Sequence, residues 1–571
     1  MKLKRFILSL VLITLCAHAQ ALSLSAEQEE QLKLAETYSS QVEQYYQQGL
    51  SKKALPLAEK AFHIRKEILG EKHPDTLSAL TNLSLIYNTL YIHDALPLLK
   101  KGYRLRKEVL GEKHPDTLNS LSHLAYAYIK RGKINQAIKH YETFVTTVES
   151  SDISAEKLKE WAHNYFLLSS LYTALSRPQD AFQLAENRSA HTFSETQIIT
   201  ANDGATLLPA DAVFISYLTH KNEVLAFTLQ ANGSLTAHSL GKIPSLKDDK
   251  KDTQKFSRTL GKRLLEPLKD IIKDKQQWII SPSGALAFIP FETLRFEGEK
   301  EPVIVQHQIS YVQSLSVLAM LQERDKAYKN LKRRGSLFAM GAPIYEGVDN
   351  TKLPTEADIV HSGSDSAHAL RQLNLKWKNL PGAEKELEQL SNLFFLKKHH
   401  SRIFKQADAT EANLQRFNRS GLLAKYRYLV FSAHGYLSPQ VPELSAIVLG
   451  QVNNPEGIDG YITAGEWAGY NLKSDLIVLS GCETGLGDAV SGEGVMGLPY
   501  ALYVAGNKNT ILTLWSISDD VTVEFIKTFF IKLKAGVPQV EALTATKREF
   551  IKKGGAYSNP KYWAAFVLYG I

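Results

Sequence analysis

Two side chains in the last third of the chain have the types and the setting for nucleophilic chemistry. Cys482 closes the apolar run LIVLSGC (Leu476 to Cys482), and His434 follows the apolar run YLVFSA, Tyr428 to Ala433. A thiol is only slightly ionised near neutral pH and becomes an effective nucleophile when an imidazole takes its proton. The pair meets that need if the two apolar runs are neighbouring strands. Gly435 and Gly481 flank it, and glycine lets backbone come close to a substrate carbonyl. Backbone N–H groups of Gly435 and Cys482 would then form an oxyanion hole. The competing reading of Cys482 is a buried cysteine acting as a small hydrophobe.

Chain order separates the thiol-enzyme folds. Residues 483–571 contain no histidine, whereas papain-like enzymes and α/β-hydrolases place theirs after the nucleophile. The spacing here, 482 − 434 = 48, fits the caspase-like order with histidine about 50 residues upstream. Ser480 and Thr484 stand where a hydrolase elbow needs glycines. Gly492, Gly494 and Gly497 match G-x-G-x-x-G only formally, because no strand runs directly into them. There is no Walker A pattern and no H-E-x-x-H, and His399-His400 lies in a basic stretch without an acidic partner. Neither a metal site nor a cofactor is expected.

The elements that must position the pair are legible. YLVFSAHG, LIVLSGC, NTILTLWSI (Asn509 to Ile517) and AAFVLYG (Ala564 to Gly570) read as buried strands. Helical stretches stand at Glu384 to Phe395, Val495 to Ala505, Val521 to Ala535 and Gln539 to Lys552. Buried strands alternating with helices imply a mainly parallel sheet covered on both faces, with functional groups at its C-terminal edge. Upstream, DAVFISYLTHKNEVLAFTLQANGSLTAHSL reads as a meander turning at Ala-Asn-Gly-Ser, and Phe256 to Ile272 as an amphipathic helix. WIISPSG (Trp278 to Gly284) and SLFAMGAP (Ser336 to Pro343) are further short apolar runs. Tyr345 to Leu370 is polar and predicts an exposed loop, either a processing site or an idle insertion.

The first third is of a different kind. ILGEKHPDTL (Ile68 to Leu77) recurs as VLGEKHPDTL (Val109 to Leu118), a period of 41. Gly ends one helix, and Pro-Asp-Thr opens the next with Asp or Thr as cap. Tyr87, Tyr128 and Tyr172 each sit four residues before a turn position. Four helix pairs are predicted between about residues 27 and 190, since one pair cannot bury its own apolar stripe but a stack can. His73 and His114 lack ligand company and read as turn residues rather than metal ligands.

The 571 residues are 44% apolar and 22% charged, a globular composition. Two cysteines leave no disulfide framework, and the net charge of +8 is spread along the chain, which is no nucleic-acid footprint. Lys2, Lys4 and Arg5, the apolar run Phe6 to Cys16, and the small-x-small sites Ala17-His18-Ala19 and Ala19-Gln20-Ala21 predict a signal peptide over residues 1–21. The apolar run is too short to span a bilayer, and no later stretch is long enough. The mature chain is expected to be exported, to the periplasm, with a net charge of 8 − 3 = +5 and Cys482 as its single thiol.

Two resemblances follow from these motifs. The LG-x-x-HPD-T linker is similar to the tetratricopeptide repeats of kinesin light chains, over a domain placed at residues 22–195. That family implies protein- or peptide-binding scaffolds. YLVFSAHGYL, PELSAIVLG (Pro442 to Gly450), LIVLSGCETGLGD, SGEGVMGLPYAL, LTLWSISDD and YWAAFVLYG look like the CHAT domain, a caspase-like domain related to separases. It is placed at residues 205–571, with a core from about 380. The fold class expected is therefore an all-α tetratricopeptide solenoid followed by an α/β caspase-like sandwich. The resemblance implies cysteine endopeptidase chemistry, with His434 as general base and Cys482 as nucleophile. It also offers Asp519, in LTLWSISDD, as an acid for a basic residue before the cut, beside the alternative that Asp519 or Asp520 caps a helix. The expected partners are a protein or peptide substrate and a protein bound by the repeats. A non-catalytic scaffold and a transpeptidase using the same dyad are the rival functions.

Overall fold

The computed structural model describes residues 24–151, 153–191, 197–244, 253–345, 377–394, 401–436, 444–452, 454–480, 493–515 and 517–571. The predicted signal segment, the predicted loop after Tyr345, the pair His399-His400 and Cys482 lie outside the described residues. The fold forms two units, Met1–Asn164 and Tyr165–Ile571.

The first unit is a stack of helical hairpins: Ala26–Gln47 with Ser51–Leu69, Pro74–Thr89 with Ala95–Leu110, and Pro115–Lys130 with Ile134–Glu149. The linker chemistry differs from expectation in one respect. His73 and His114, not Asp or Thr, are the caps: each ring Nδ1 accepts the backbone N–H of Asp75 or Asp116, and the proline takes the first helical position. An Nδ1 acceptor on a short side chain does the work of an Asp carboxylate there.

Each hairpin turns through one left-handed residue: Gly49 (φ 73°), Tyr91 (φ 57°) and Gly132 (φ 67°). The next N–H reaches back to the carbonyl of the repeat tyrosine, Leu50 to Tyr45, Ile92 to Tyr87 and Lys133 to Tyr128, which satisfies a carbonyl orphaned at the helix end. Four or five residues on, Ala54, Ala95 and Ala137 are fully buried at the start of the second helix. The fourth predicted pair, Ala162–Ala174 and Pro178–His191, repeats the turn at Ser176 (φ 57°). Its second helix is packed on the α/β unit: Phe182 meets Phe214 and Phe227 edge-on, and Glu186 accepts the N–H groups of Leu315 and Ser316 at the start of the helix Leu315–Lys329.

The second unit holds a mixed sheet. Its strands in chain order are β1 (Ala212–His220), β2 (Glu223–Gln230), β3 (Leu235–Lys242), β4 (Gln277–Ser281), β5 (Gln308–Tyr311), β6 (Gly335–Pro343), β7 (Ser401–Gln406), β8 (Tyr426–Ser432), β9 (His434–Tyr436), β10 (Ala446–Val448), β11 (Tyr461–Thr463), β12 (Leu476–Ser480), β13 (Thr510–Thr513) and β14 (Phe566–Tyr569). Eleven of them form one sheet in the order β3-β2-β1-β4-β5-β14-β13-β12-β8-β6-β7, and β11-β10-β9 form a small second sheet. The predicted meander is β1–β2–β3, turning at Gly233. Two parallel blocks, β1-β4-β5-β14 and β13-β12-β8-β6-β7, meet along the antiparallel β13–β14 pair.

Alternate residues of the central strands enter two cores. Leu429, Phe431, Ile477 and Leu479 face Leu498 and Leu502 of the helix Glu493–Val504 and Leu414 of the helix Glu411–Arg419. Tyr428, Val430, Leu476 and Val478 face Leu387, Phe525, Phe529 and Leu543 of the helices Pro381–Phe394, Asp519–Lys534 and Gln539–Lys553. This is the α/β/α sandwich that continuous apolar strands require. The single amphipathic helix expected over Phe256 to Ile272 is instead a helix Thr253–Leu264, a 3-10 turn Glu266–Leu268 and a helical turn Lys269–Ile272. Pro267 is the reason, because it has no N–H for a continuous helix.

The left-handed turns give a test. A Cβ at Gly132 would meet no atom within 4 Å, so the cost of Gly132→Ala is purely conformational, about 1 kcal/mol. Tyr91→Gly should stabilise by up to a similar amount at the equivalent turn, the two variants giving opposite shifts in the thermal midpoint of the repeat unit.

Candidate functional site

The site is built on two adjacent parallel strands. β8 and β12 pair in register from Tyr428↔Leu476 to Ser432↔Ser480, and the Ala433 N–H continues the ladder to the Ser480 carbonyl at 3.1 Å. His434 stands two residues past Ser432, and position 482 stands two past Ser480, so both strands leave the sheet at the same C-terminal edge. The neighbour relation that the dyad needed is met. Gly481 and Cys482 themselves are outside the described residues, and Gly435 sits in β9 opposite Ile447.

His434 is buried, at 1% exposure. Its Nε2 lies 2.7 Å from the Lys378 carbonyl. A carbonyl oxygen only accepts, so Nε2 carries the proton, and in the neutral ring Nδ1 is the nitrogen able to take another. Two aromatic rings pack on the imidazole, Tyr345 with centroids 5.0 Å apart and Trp377 at 4.9 Å. The Tyr345 hydroxyl accepts the His434 N–H at 3.3 Å and donates to the Val448 carbonyl at 2.8 Å. Trp377 donates from Nε1 to the Tyr461 hydroxyl at 2.9 Å, and the Tyr345 N–H is held by Asn379 Oδ1 at 3.0 Å.

The strand before Cys482 has its own anchor. Ser480 Oγ donates to Glu386 Oε1 at 2.6 Å, with both residues buried. Glu386 belongs to the helix Pro381–Phe394, which begins three residues after Lys378. One short stretch therefore reaches both strand ends. On the other side of β8, Gly341 of β6 pairs with Ser432, and Ala342 follows in the left-handed region (φ 47°) at a register shift between Gly341 and Pro343. That bulge turns the chain just before Tyr345.

Tyr345 is a correction to the sequence reading at one residue: it is buried, at 4% exposure, against His434, while residues 346–370 of the predicted loop lie outside the described residues. Trp377, Lys378 and Glu386 were missed. No local signal marks them, since Lys378 acts through its carbonyl and the others through partners 57 and 94 residues away (434 − 377 and 480 − 386). Asp519 is the first residue of the helix Asp519–Lys534, whose cap position is Ser518, and its side chain is not among those described. Asp520 is exposed and paired with Lys385 at 3.2 Å. Among the described residues no group of three His, Cys, Asp or Glu side chains is arranged to hold a metal, and no helix is long and apolar enough to cross a membrane.

The comparison with family models decides the affiliation. The CHAT domain model matches residues 254–571, more than half of the chain. The chain belongs to the CHAT domain family. Tetratricopeptide repeat models match residues 45–75 and 92–146 ahead of it. Among solved structures, the chain is similar to one in the Saccharomyces cerevisiae separase-securin complex, at 12% identity and a TM-score of 0.49, covering 95% of this chain and 48% of that one. It is also similar to a Podosopora anserina putative kinesin light chain with nearly identical TPR-like repeats, at 23% identity and a TM-score of 0.25, covering 28% of this chain and 76% of that one. The chain thus spans about half the length of its separase match. No curated protein sequence matches it.

The close approach of β6 to β8 is testable in this CHAT domain. A Cβ on Gly341 would lie 2.3 Å from the Ser432 carbonyl oxygen, a backbone atom that cannot rotate away. Gly341→Ala should therefore cost about 1–3 kcal/mol, seen as a lower midpoint in denaturant unfolding of the full chain.

Proposed function

We propose that this protein is a cysteine endopeptidase of the CHAT family, with His434 as general base and Cys482 as nucleophile. The observation that supports this reading is the in-register β8–β12 pair, whose strands end side by side at Ser432 and Ser480, each two residues before one of the two positions in sequence. With Nε2–H committed to the Lys378 carbonyl, the thiol proton goes to Nδ1 of His434. The thiolate adds to the scissile carbonyl, and the oxyanion is met by backbone N–H groups, those of Gly435 and Cys482 in this proposal. His434 then gives the proton to the leaving amine, and water releases the acyl group from the thioester. Asp519 is proposed as the acid that selects a basic residue before the cut. The repeats are proposed to recruit a protein substrate or regulator, and the chain to be exported through its N-terminal signal.

The test is labelling of the purified protein with acyloxymethyl-ketone peptide probes carrying Lys, Arg, Met or Asp next to the warhead. Labelling is expected with the basic probes and absent in Cys482→Ala and His434→Ala, with peptide turnover down by roughly 10³-fold or more in both. Asp519→Asn should lower labelling by the Lys and Arg probes selectively. If iodoacetamide modifies Cys482 while no peptide probe reacts in the presence of a repeat-bound partner, the scaffold reading replaces this one. Export has a separate readout: mass spectrometry of the periplasmic fraction should find a mature N-terminus at Gln20 or Leu22.

A further inference from the structure

A general base must do more than lie near its nucleophile; its ring must be held in one plane and one tautomer through each turnover. An imidazole at the end of a strand has two side-chain torsions, and a single hydrogen bond to Lys378 would leave the ring free to swing about that bond. In this structure the swing is blocked from two directions. Tyr345 and Trp377 pack on the His434 ring with interplanar angles of 53° and 34°. Neither ring is itself loose: Tyr345 is bonded to Val448 of β10 and to Asn379, and Trp377 to Tyr461 of β11. The small sheet β11-β10-β9 thus fixes the two rings, and the rings fix the imidazole that β9 carries. Tyr345 and Trp377 lie 89 and 57 residues from His434 in sequence (434 − 345 and 434 − 377), so this packing is a product of the tertiary fold.

We propose that Tyr345 and Trp377 are positioning residues of the dyad, an aromatic clamp that holds His434 with Nε2–H on the Lys378 carbonyl and so keeps Nδ1 as the proton acceptor. The proposal rests on the endopeptidase reading for its kinetic consequence and on the His434 geometry alone for its structural one. Trp377 acts by ring packing, and its N–H bond to Tyr461 serves only to seat the ring. The Tyr345 hydroxyl in turn serves the backbone of His434, and its ring serves the imidazole face.

The two consequences are measured separately. In full-length protein carrying Cys482→Ala and isotope-labelled histidine, with His434→Ala supplying the assignment, His434 should show the carbon and nitrogen shifts of a single Nε2–H tautomer at neutral pH. Adding Trp377→Ala should convert it to exchanging tautomers, and Trp377→Phe, which keeps a ring, should not. In protein retaining Cys482, Trp377→Ala should lower kcat by roughly 10- to 100-fold with KM changed by less than about threefold, and Trp377→Phe should recover most of the loss. Tyr345→Phe should fall between wild type and Trp377→Ala. The proposal is overturned if His434 already exchanges between tautomers in the parent protein. It is equally overturned if Trp377→Ala leaves both the tautomer and kcat unchanged, or if kcat falls only in step with the melting temperature and Trp377→Phe does not restore it. Should the parent enzyme cleave no peptide at all, the endopeptidase reading fails, and the tautomer measurement still judges the clamp.

Discussion

The register of β8 against β12 is the constraint on which the rest of the site depends. Both strands are buried on both faces, so a shift of one residue would turn Phe431 and Leu479 into the core that holds Val430 and Val478, and neither core has room for the exchange. With the register set, the chain leaves the sheet at Ser432 and Ser480 side by side. The remaining devices act on those two ends: the missing Cβ of Gly341, the Glu386 carboxylate under Ser480, and the rings around His434.

Much of this was legible in the sequence, for physical reasons. Parallel strands covered on both faces must be continuously apolar, so YLVFSA and LIVLS announce themselves, and the two strands end together at Ser432 and Ser480. The order of His434 before Cys482 is incompatible with papain-like and α/β-hydrolase folds and so narrows the fold class from sequence. The repeat period was equally plain, because each hairpin must copy its neighbour's packing.

What escaped had no local signature. β5 and β7 carry polar residues among the apolar ones, and the helix Leu315–Lys329 begins within an apolar run that suits strand or helix. The histidine caps were overlooked because an imidazole is an uncommon occupant of that position, and only the Nδ1 geometry shows it acting as acceptor. Tyr345 was misjudged because the polar residues after it dominate the window, while its own partners lie in β9 and β10. Contacts between elements far apart in sequence are settled by tertiary packing, which periodicity does not encode.

The seam between the two parallel blocks has a consequence for how the chain acquires its fold. β14 is inserted in the middle of the sheet, hydrogen-bonded to β13 on one side and to β5, some 258 residues earlier (569 − 311), on the other. Until residue 569 has left the ribosome and found its slot, each block carries a raw inner edge, and pairing across such a span is slow. The half of the sheet whose strand β8 leads into His434 is therefore assembled late and as part of a whole. Nascent and partly translated forms lack the finished edge at which β8 and β12 end side by side, so the order of synthesis makes the candidate site the last part of the chain to take shape.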